Sequence, residues 1–249
     1  RGDVYKRQMY FKFFKPQNWR KRSAEARGRN CAVLPKIYLK GICVMPPALS
    51  YILSAVAGYL LGSISISILL SRHLFHQDIR GEGSGNAGAT NVARVFGLRA
   101  GALTFLGDFL KTALSLWIGN LLGGTIGMCI AVAAALIGHC FPVYYGFRGG
   151  KAVSAGAAAA LAIDWRVFVI ALAVFAVAAL LSRTASVSSM SAALAVGVSS
   201  VFLAPTAAQR ILGMFTGVLV IVMHRSNIRR LLAGTEPKFH PGQRPPRAK

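Results

Sequence analysis

The chain has 249 residues, 54% of them hydrophobic and 14% charged, with 29 Lys and Arg against 7 Asp and Glu for a formal net charge of +22. A mean hydropathy of +0.51 and repeated apolar runs near spanning length exclude an ordinary soluble domain and a protein held by one signal peptide or anchor. The expectation is an all-α membrane protein, a compact bundle of about seven transmembrane helices with glycine-rich cytoplasmic loops.

The first 44 residues carry 12 Lys and Arg against Asp3 and Glu25. They are expected to be non-native, a cloning remnant or misread upstream sequence, or else disordered, with the membrane domain occupying 45–238. A basic arm for nucleic acid or anionic lipid is the alternative, but no aromatic or motif pattern for nucleic acid accompanies the charge, and no nucleic-acid partner is expected. From Met45 onward, spans are predicted at 49–71, 100–122, 125–146, 152–163, 165–182, 187–204 and 207–223. The fourth is short for a hydrocarbon core of about 30 Å. Its run "AVSAGAAAALA" offers the small side chains that let helices approach closely in lipid.

Arg72, Arg80, Arg94 and Arg99 follow the first span, Arg148 and Lys151 the third, Arg183 the fifth, and Arg225, Arg229, Arg230 and Lys238 the seventh. The positive-inside bias makes those loops cytoplasmic, with the N-terminus outside and the C-terminus inside. The proline-rich basic tail over 239–249 is expected to be disordered. Cys31, Cys43, Cys129 and Cys140 show no metal spacing. Cys129 and Cys140, eleven residues apart on one helix and so about 16 Å from each other, are too distant to bridge.

Three polar islands fall on the expected cytoplasmic face: "GEGSGNAGATNVAR" at 81–94, "HCFPVYYGFRGGKAVSAG" at 139–156 and "HRSNIRRLLAGTEPK" at 224–238. They bring together Gly83, Ser84, Gly85, Asn86, Thr90, Asn91 and Arg94; then Arg148, Gly149, Gly150 and Lys151; then His224, Asn227 and Arg229, with Glu236 further along as a substrate-binding candidate. Glycines admit anions close to backbone amides, a helix N-terminus adds partial positive charge, and Arg or Lys supplies ionic hydrogen bonds, which is phosphate chemistry. Thr90 or Asn91 is placed near a helix cap. Arg72, Arg99, Arg183, Arg229 and Arg230 are read as interface charges only, and His139 either satisfies a backbone carbonyl or serves function.

Other patterns in the chain lack their required context. "GSGNAG" at 83–88 satisfies G-x-G-x-x-G, yet it follows a membrane span rather than a strand. "GFRGGK" fails the P-loop spacing at Tyr145 and Ala152. His73 and Asp78 have the H-x₄-D spacing of acyl-CoA glycerolipid acyltransferases, without the soluble α/β domain that would fix such a dyad.

The three islands, in this order, resemble the three cytoplasmic motifs of the bacterial membrane acyl-phosphate:glycerol-3-phosphate acyltransferases, and the resemblance runs from about Pro47 to Lys238. It implies a seven-helix enzyme that transfers a fatty acyl group from acyl phosphate to the 1-hydroxyl of glycerol 3-phosphate, using neither acyl-CoA nor a metal nor another cofactor. It implies a substrate site of Ser84, Arg94, Lys151, His224 and Asn227, with Gly149 and Gly150 shaping the backbone around the acyl phosphate. Acyl phosphate, glycerol 3-phosphate and membrane lipid are the expected partners, with no obligate protein partner. The chain departs from the family pattern where "GGKAVS" stands for G-G-K-G-V-A and "GSIS" for G-S-I-P, at Ala152, Ser154 and Ser65.

Because a mixed carboxylic–phosphoric anhydride carries its own leaving group, positioning and charge suffice for direct attack. Either His224 or the substrate's own phosphate takes the proton, and Ser84 as a covalent nucleophile ranks last. Asp108 and Lys111, one turn apart, are expected to pair as structural support. The rival class is a transporter of a phosphorylated solute, disfavoured by the absence of a repeat between the chain's halves and by polar islands at one interface rather than at the midplane.

Overall fold

The computed structural model describes residues 45–238; the expectations for 1–44 and 239–249 lie outside the described residues. The secondary structure over this range is helical. In chain order it comprises α1 (Pro47–Ser63), α2 (Ile66–Phe75), α3 (Ala89–Phe96), α4 (Leu98–Cys140), α5 (Val153–Ile163), α6 (Trp165–Ser182), α7 (Ala185–Leu203), α8 (Ala207–Met223) and α9 (Arg225–Leu232), with short 3₁₀ turns at Ile79–Gly81 and Val143–Tyr145.

Four stretches are long and apolar enough to cross a bilayer, or five when α8 and α9, bent by 53°, count as one span. Two physical features separate this from the seven crossings expected. The second and third expected spans form one helical hairpin, α4, that folds back on itself at Gly123 and Gly124, the latter at φ 58°. Gly119 and Gly127, on the two sides of that turn, pack so closely that a methyl on either would strike the backbone of the other. The fourth expected span, α5, has 11 residues and rises only about 16 Å.

The first span is also interrupted. Ile64 and Ser65 are extended between α1 and α2, which releases a carbonyl that lipid cannot satisfy. Lys111 Nζ, reaching from α4, donates to Ile64 O at 2.7 Å. It also lies 2.9 Å from Asp108 Oδ1, so the expected pair forms.

α1 lies along α4 through Gly58 and Gly62, where an added Cβ would collide with the backbone of Ala131 and Ala135. This G-x-x-x-G contact brings the helices close enough for dispersion contacts and leaves no space for a larger residue. A larger core gathers Leu136, Ile163, Val167, Val196, Leu212 and Val220 from α4 to α8. Leu and Val side chains on the outer faces, such as Val56 at 50% exposure, point away from it. Cys129 and Cys140 are buried and free.

Gly62→Val is expected to destabilise the protein by about 1–3 kcal/mol through overpacking, whereas Val56→Ala on the outward face changes stability by about 0.5 kcal/mol or less. Thermal unfolding of both variants in one detergent checks the contrast, and equal melting temperatures would remove the tight α1–α4 contact from the account.

Candidate functional site

The first polar island is a loop pinned by one amide. Asn91 is 1% exposed; its Oδ1 accepts from Ser84 N at 2.9 Å and from Arg94 Nη1 at 3.3 Å, while Nδ2 donates to Glu82 O at 2.9 Å. Gly83 and Gly85 turn the chain at φ 59° and 70°, where a side chain would be strained. Gly88 caps α3, which puts Thr90 and Asn91 in its first turn, near the cap as expected.

Arg80 extends this loop toward the second by donating from Nη1 to Tyr145 O at 2.8 Å. Asp78 accepts from both Arg80 and Arg72 at 2.8 Å. Its hydrogen bonds with Arg80, outweighing the opposing effect of burial, hold its carboxyl well below the usual carboxylate range. His73 is exposed and makes no hydrogen bond to Asp78 among the described residues, so the H-x₄-D spacing builds no dyad.

The second island carries a correction. Gly149 N donates to Cys140 O at 3.1 Å and Gly150 N to His139 O at 3.0 Å, so these amides are already committed and do not hold a phosphate. A Cβ on Gly149 would strike the His139 carbonyl, and one on Gly150 the His139 ring. Both glycines serve close packing. Arg148 is exposed and lies off the cavity wall, as do Gly83 and Gly85. Lys151 follows and donates a hydrogen bond to Asn227 Oδ1. Ala152 sits in the left-handed region, φ 57° and ψ 24°, and α5 begins directly after it, directing its unpaired first-turn amides toward the same end of the cavity.

In the third island His224 occupies the bend between α8 and α9. Its Nδ1 lies 2.7 Å from Val220 O. A carbonyl only accepts, so Nδ1 carries the hydrogen, and in the neutral ring Nε2 is the nitrogen free to take a proton. Asn227 Nδ2 donates to Glu236 Oε1 at 2.6 Å and Arg230 Nε to Oε2 at 2.7 Å. Burial acts to raise the Glu236 pKa, but these hydrogen bonds outweigh it and keep the carboxyl ionised below its ordinary range. Burial, reinforced by the charges of Arg230 and Arg94 and partly offset by Glu236, pushes the Lys151 ammonium down to about 8.

These groups face one cavity of about 340 Å³. Of the expected site residues, Ser84, Asn86, Thr90, Asn91, Arg94, Lys151, His224, Asn227 and Glu236 line it. Beyond them the wall turns apolar, with Phe105 from α4, Ala157 and Ala160 from α5, Phe168, Leu172 and Phe175 from α6, Val196 from α7 and Val220 from α8. A cationic end therefore opens directly into a hydrocarbon-like groove between helices.

Several lining residues carry no clear signal in the sequence. Arg230, expected to be an interface charge, reaches the cavity wall and pairs with Glu236. Ser154, Ser186 and Ser189 line the junction between polar and apolar walls. Their hydroxyls could not be told by pattern from helix serines that bond their own preceding turn, as Ser188 does to Thr184 O at 2.8 Å.

Residues 52–234 match the family model described as glycerol-3-phosphate acyltransferase. A glycerol-3-phosphate acyltransferase of Clostridioides difficile (strain 630) is 40% identical over 198 residues, covering 76% of this chain and 96% of the relative. One from Thioalkalivibrio sulfidiphilus (strain HL-EbGR7) is 42% identical over 185 residues, covering 74% and 91%. Two crystal structures of PlsY, an integral membrane glycerol 3-phosphate acyltransferase, are similar at 32% identity and cover 77% of this chain and 96% of theirs. The glycerol 3-phosphate form gives a TM-score of 0.73 and the lysophosphatidic acid form 0.69. The chain belongs to the glycerol-3-phosphate acyltransferase family of integral membrane proteins.

Proposed function

We propose that this acyltransferase takes its acyl group from an acyl phosphate and esterifies the 1-hydroxyl of glycerol 3-phosphate, yielding 1-acylglycerol 3-phosphate and inorganic phosphate for phospholipid synthesis. The observation that carries this reading is the single cavity in which Lys151, Arg94 and Arg230 adjoin an apolar groove. Such a site takes a phosphate and a fatty chain joined in one molecule. Two substrate phosphates need several cations, and each charge-assisted hydrogen bond contributes about 1.5–3 kcal/mol.

In this mechanism Lys151, Ser84 and the N-terminus of α5 hold the acyl phosphate, with its chain in the groove. Arg94, Asn227 and His224 orient glycerol 3-phosphate. The hydroxyl oxygen forms a bond to the acyl carbon, the bond from that carbon to the phosphate oxygen breaks, and phosphate leaves. The hydroxyl proton passes to His224 Nε2 or to the substrate's own phosphate, both of which are acceptors at neutral pH. Ser84 has no imidazole among its hydrogen-bond partners; its backbone amide is held by Asn91. Direct attack on an activated donor needs no acyl-serine. The loops rich in arginine support a site on the cytoplasmic face of a bacterial inner membrane, with the domain's N-terminal end outside and its C-terminal end inside.

Purified full-length protein in detergent, supplied with acyl phosphate and glycerol 3-phosphate, is expected to release phosphate only when both are present. Lys151→Ala and Arg94→Ala are each expected to lower kcat/KM about 10- to 150-fold, the loss of one charge-assisted hydrogen bond. Turnover of acyl-CoA with none of acyl phosphate would overturn the donor assignment. Glycerol 3-phosphate crossing proteoliposomes without phosphate release would replace the transferase with a transporter.

A pH dependence follows from Lys151. An ammonium whose pKa is depressed to about 8 is charged below that pH and loses its proton as pH rises through it, within a range where an exposed lysine stays charged. KM for the phosphate ligand of Lys151 is therefore expected to rise above pH 8 in the wild type. Lys151→Arg keeps its charge throughout, so its KM should stay level over the same range even if its absolute value is poorer. Parallel profiles would mean that the Lys151 charge does not bind substrate.

A further inference from the structure

Three ionisable side chains lie inside the bundle without a role in the chemistry above, and one of them, His139, also forms part of the cavity wall. Asp108, Lys111 and His139 are 1%, 7% and 5% exposed. The first two come from one arm of the α4 hairpin and the third from the other. Lys111 Nζ is 2.9 Å from Asp108 Oδ1 and 3.1 Å from His139 Nδ1, and His139 Nδ1 is 3.5 Å from Asp108 Oδ1. Three such groups within membrane helices are expensive to bury, and an ion pair there is weak evidence for stability as such.

What the cluster touches gives it a purpose. On one side Lys111 donates to Ile64 O. On the other, the His139 ring lies against Gly150 so tightly that a Cβ there would meet Nε2, and the His139 carbonyl accepts the Gly150 amide at 3.0 Å. Gly150 directly precedes Lys151, whose ammonium bonds Asn227. The chain therefore runs from a charged pair in the bundle, through one imidazole and one glycine, to a cation in the cavity.

We infer that Asp108, Lys111 and His139 are positioning residues: they fix the turn at Gly149 and Gly150 so that Lys151 stands beside Asn227, and they act on substrate through Lys151. Asp108 holds Lys111, Lys111 sets the His139 ring through Nδ1, and the ring together with its own carbonyl sets Gly150. A cluster that only braced the bundle would leave the binding constant of one particular substrate untouched. This inference rests on the proposed role of Lys151 in holding substrate.

The test is a double-mutant cycle on the full-length protein, measuring KM for each substrate, kcat and melting temperature for wild type, His139→Ala, Lys151→Ala and the pair. His139→Ala is expected to raise the KM of the substrate that Lys151→Ala also weakens, by about tenfold, as a misplaced binding group does. The other KM and kcat should stay within about twofold. His139→Asn, whose side-chain oxygen can accept from Lys111, should recover most of the loss. In the Lys151→Ala background His139→Ala should add nothing further. Fully additive effects, or a lowered melting temperature with both KM values unchanged, would overturn the positioning role and leave the function standing. Lys151→Ala with unaltered kinetics would overturn the role of Lys151 in the proposed function and this inference with it. If His139→Ala does not fold, Asp108→Asn runs the same cycle, with the same coupling to Lys151 required.

Discussion

Lys111 is the point on which the bundle turns. In lipid no backbone carbonyl can be left to water, yet the chain breaks its first span at Ile64 and Ser65 and frees one. The ammonium of Lys111 fills that position at 2.7 Å while Asp108, at 2.9 Å, balances its charge. Asp108 stands one turn away on the same helix, and Ile64 O comes within reach because α1 packs along the α4 hairpin. Lys111 meets His139 only because α4 doubles back at Gly123 and Gly124. A straight α4 would carry Lys111 and His139, 28 positions apart, about 40 Å from each other. The break, the hairpin and the glycine contact are thus consequences of one packing arrangement.

The cationic end of the cavity has the opposite problem, an excess of positive charge held close together before any anion arrives. Lys151, Arg94 and Arg230 repel one another, and the depressed pKa of Lys151 expresses that repulsion on top of burial. Glu236 moderates it by accepting from Arg230 and Asn227, and Asn227 in turn accepts from Lys151. An arriving phosphate enters a site whose donors are already oriented and whose charge is not fully neutralised. That is the condition under which electrostatic preorganisation is most effective.

Much of this was legible in the sequence because periodicity and composition report directly on burial. Apolar runs marked the helices, and the break between the predicted spans 100–122 and 125–146 marked the turn at Gly123 and Gly124. Glycine-rich cationic islands identified nine of the residues that line the cavity. Where sequence reasoning failed, the missing quantity was a long-range contact. Gly149 and Gly150 look like a phosphate nest, but their amides go to Cys140 and His139, and no local pattern records a carbonyl that returns from the preceding helix. Arg230 resembled its neighbour Arg229 until α9 turned it toward Glu236. The departure at Ala152 was visible as a letter and its meaning was not: at φ 57° and fully buried, it occupies a conformation in which the glycine of the family pattern would carry no penalty of about 1–2 kcal/mol. The chain tolerates that strain because the buried methyl packs in the main core, where each such group contributes about 0.8 kcal/mol, and because alanine has less unfolded-state freedom to lose than glycine.

The shortness of α5 links the two ends of the cavity. A helix of 11 residues cannot cross the hydrocarbon, so as a spanning element it would be a defect. Placed between α4, α6, α8 and α7, it is shielded from lipid on most sides, and its seven buried residues, Ser154, Ala155, Gly156, Ala158, Ala159, Ala160 and Ile163, keep its neighbours close. Its first turn begins two residues after Lys151, so its unpaired amides lie at the cationic end of the cavity, while Ala157 and Ala160 further along line the apolar groove. One short element therefore presents partial positive charge to a headgroup and small apolar surface to a chain. A full-length span could do the second but would carry its N-terminus to the membrane surface, away from the junction where an acyl carbonyl, half polar and half hydrocarbon, has to sit.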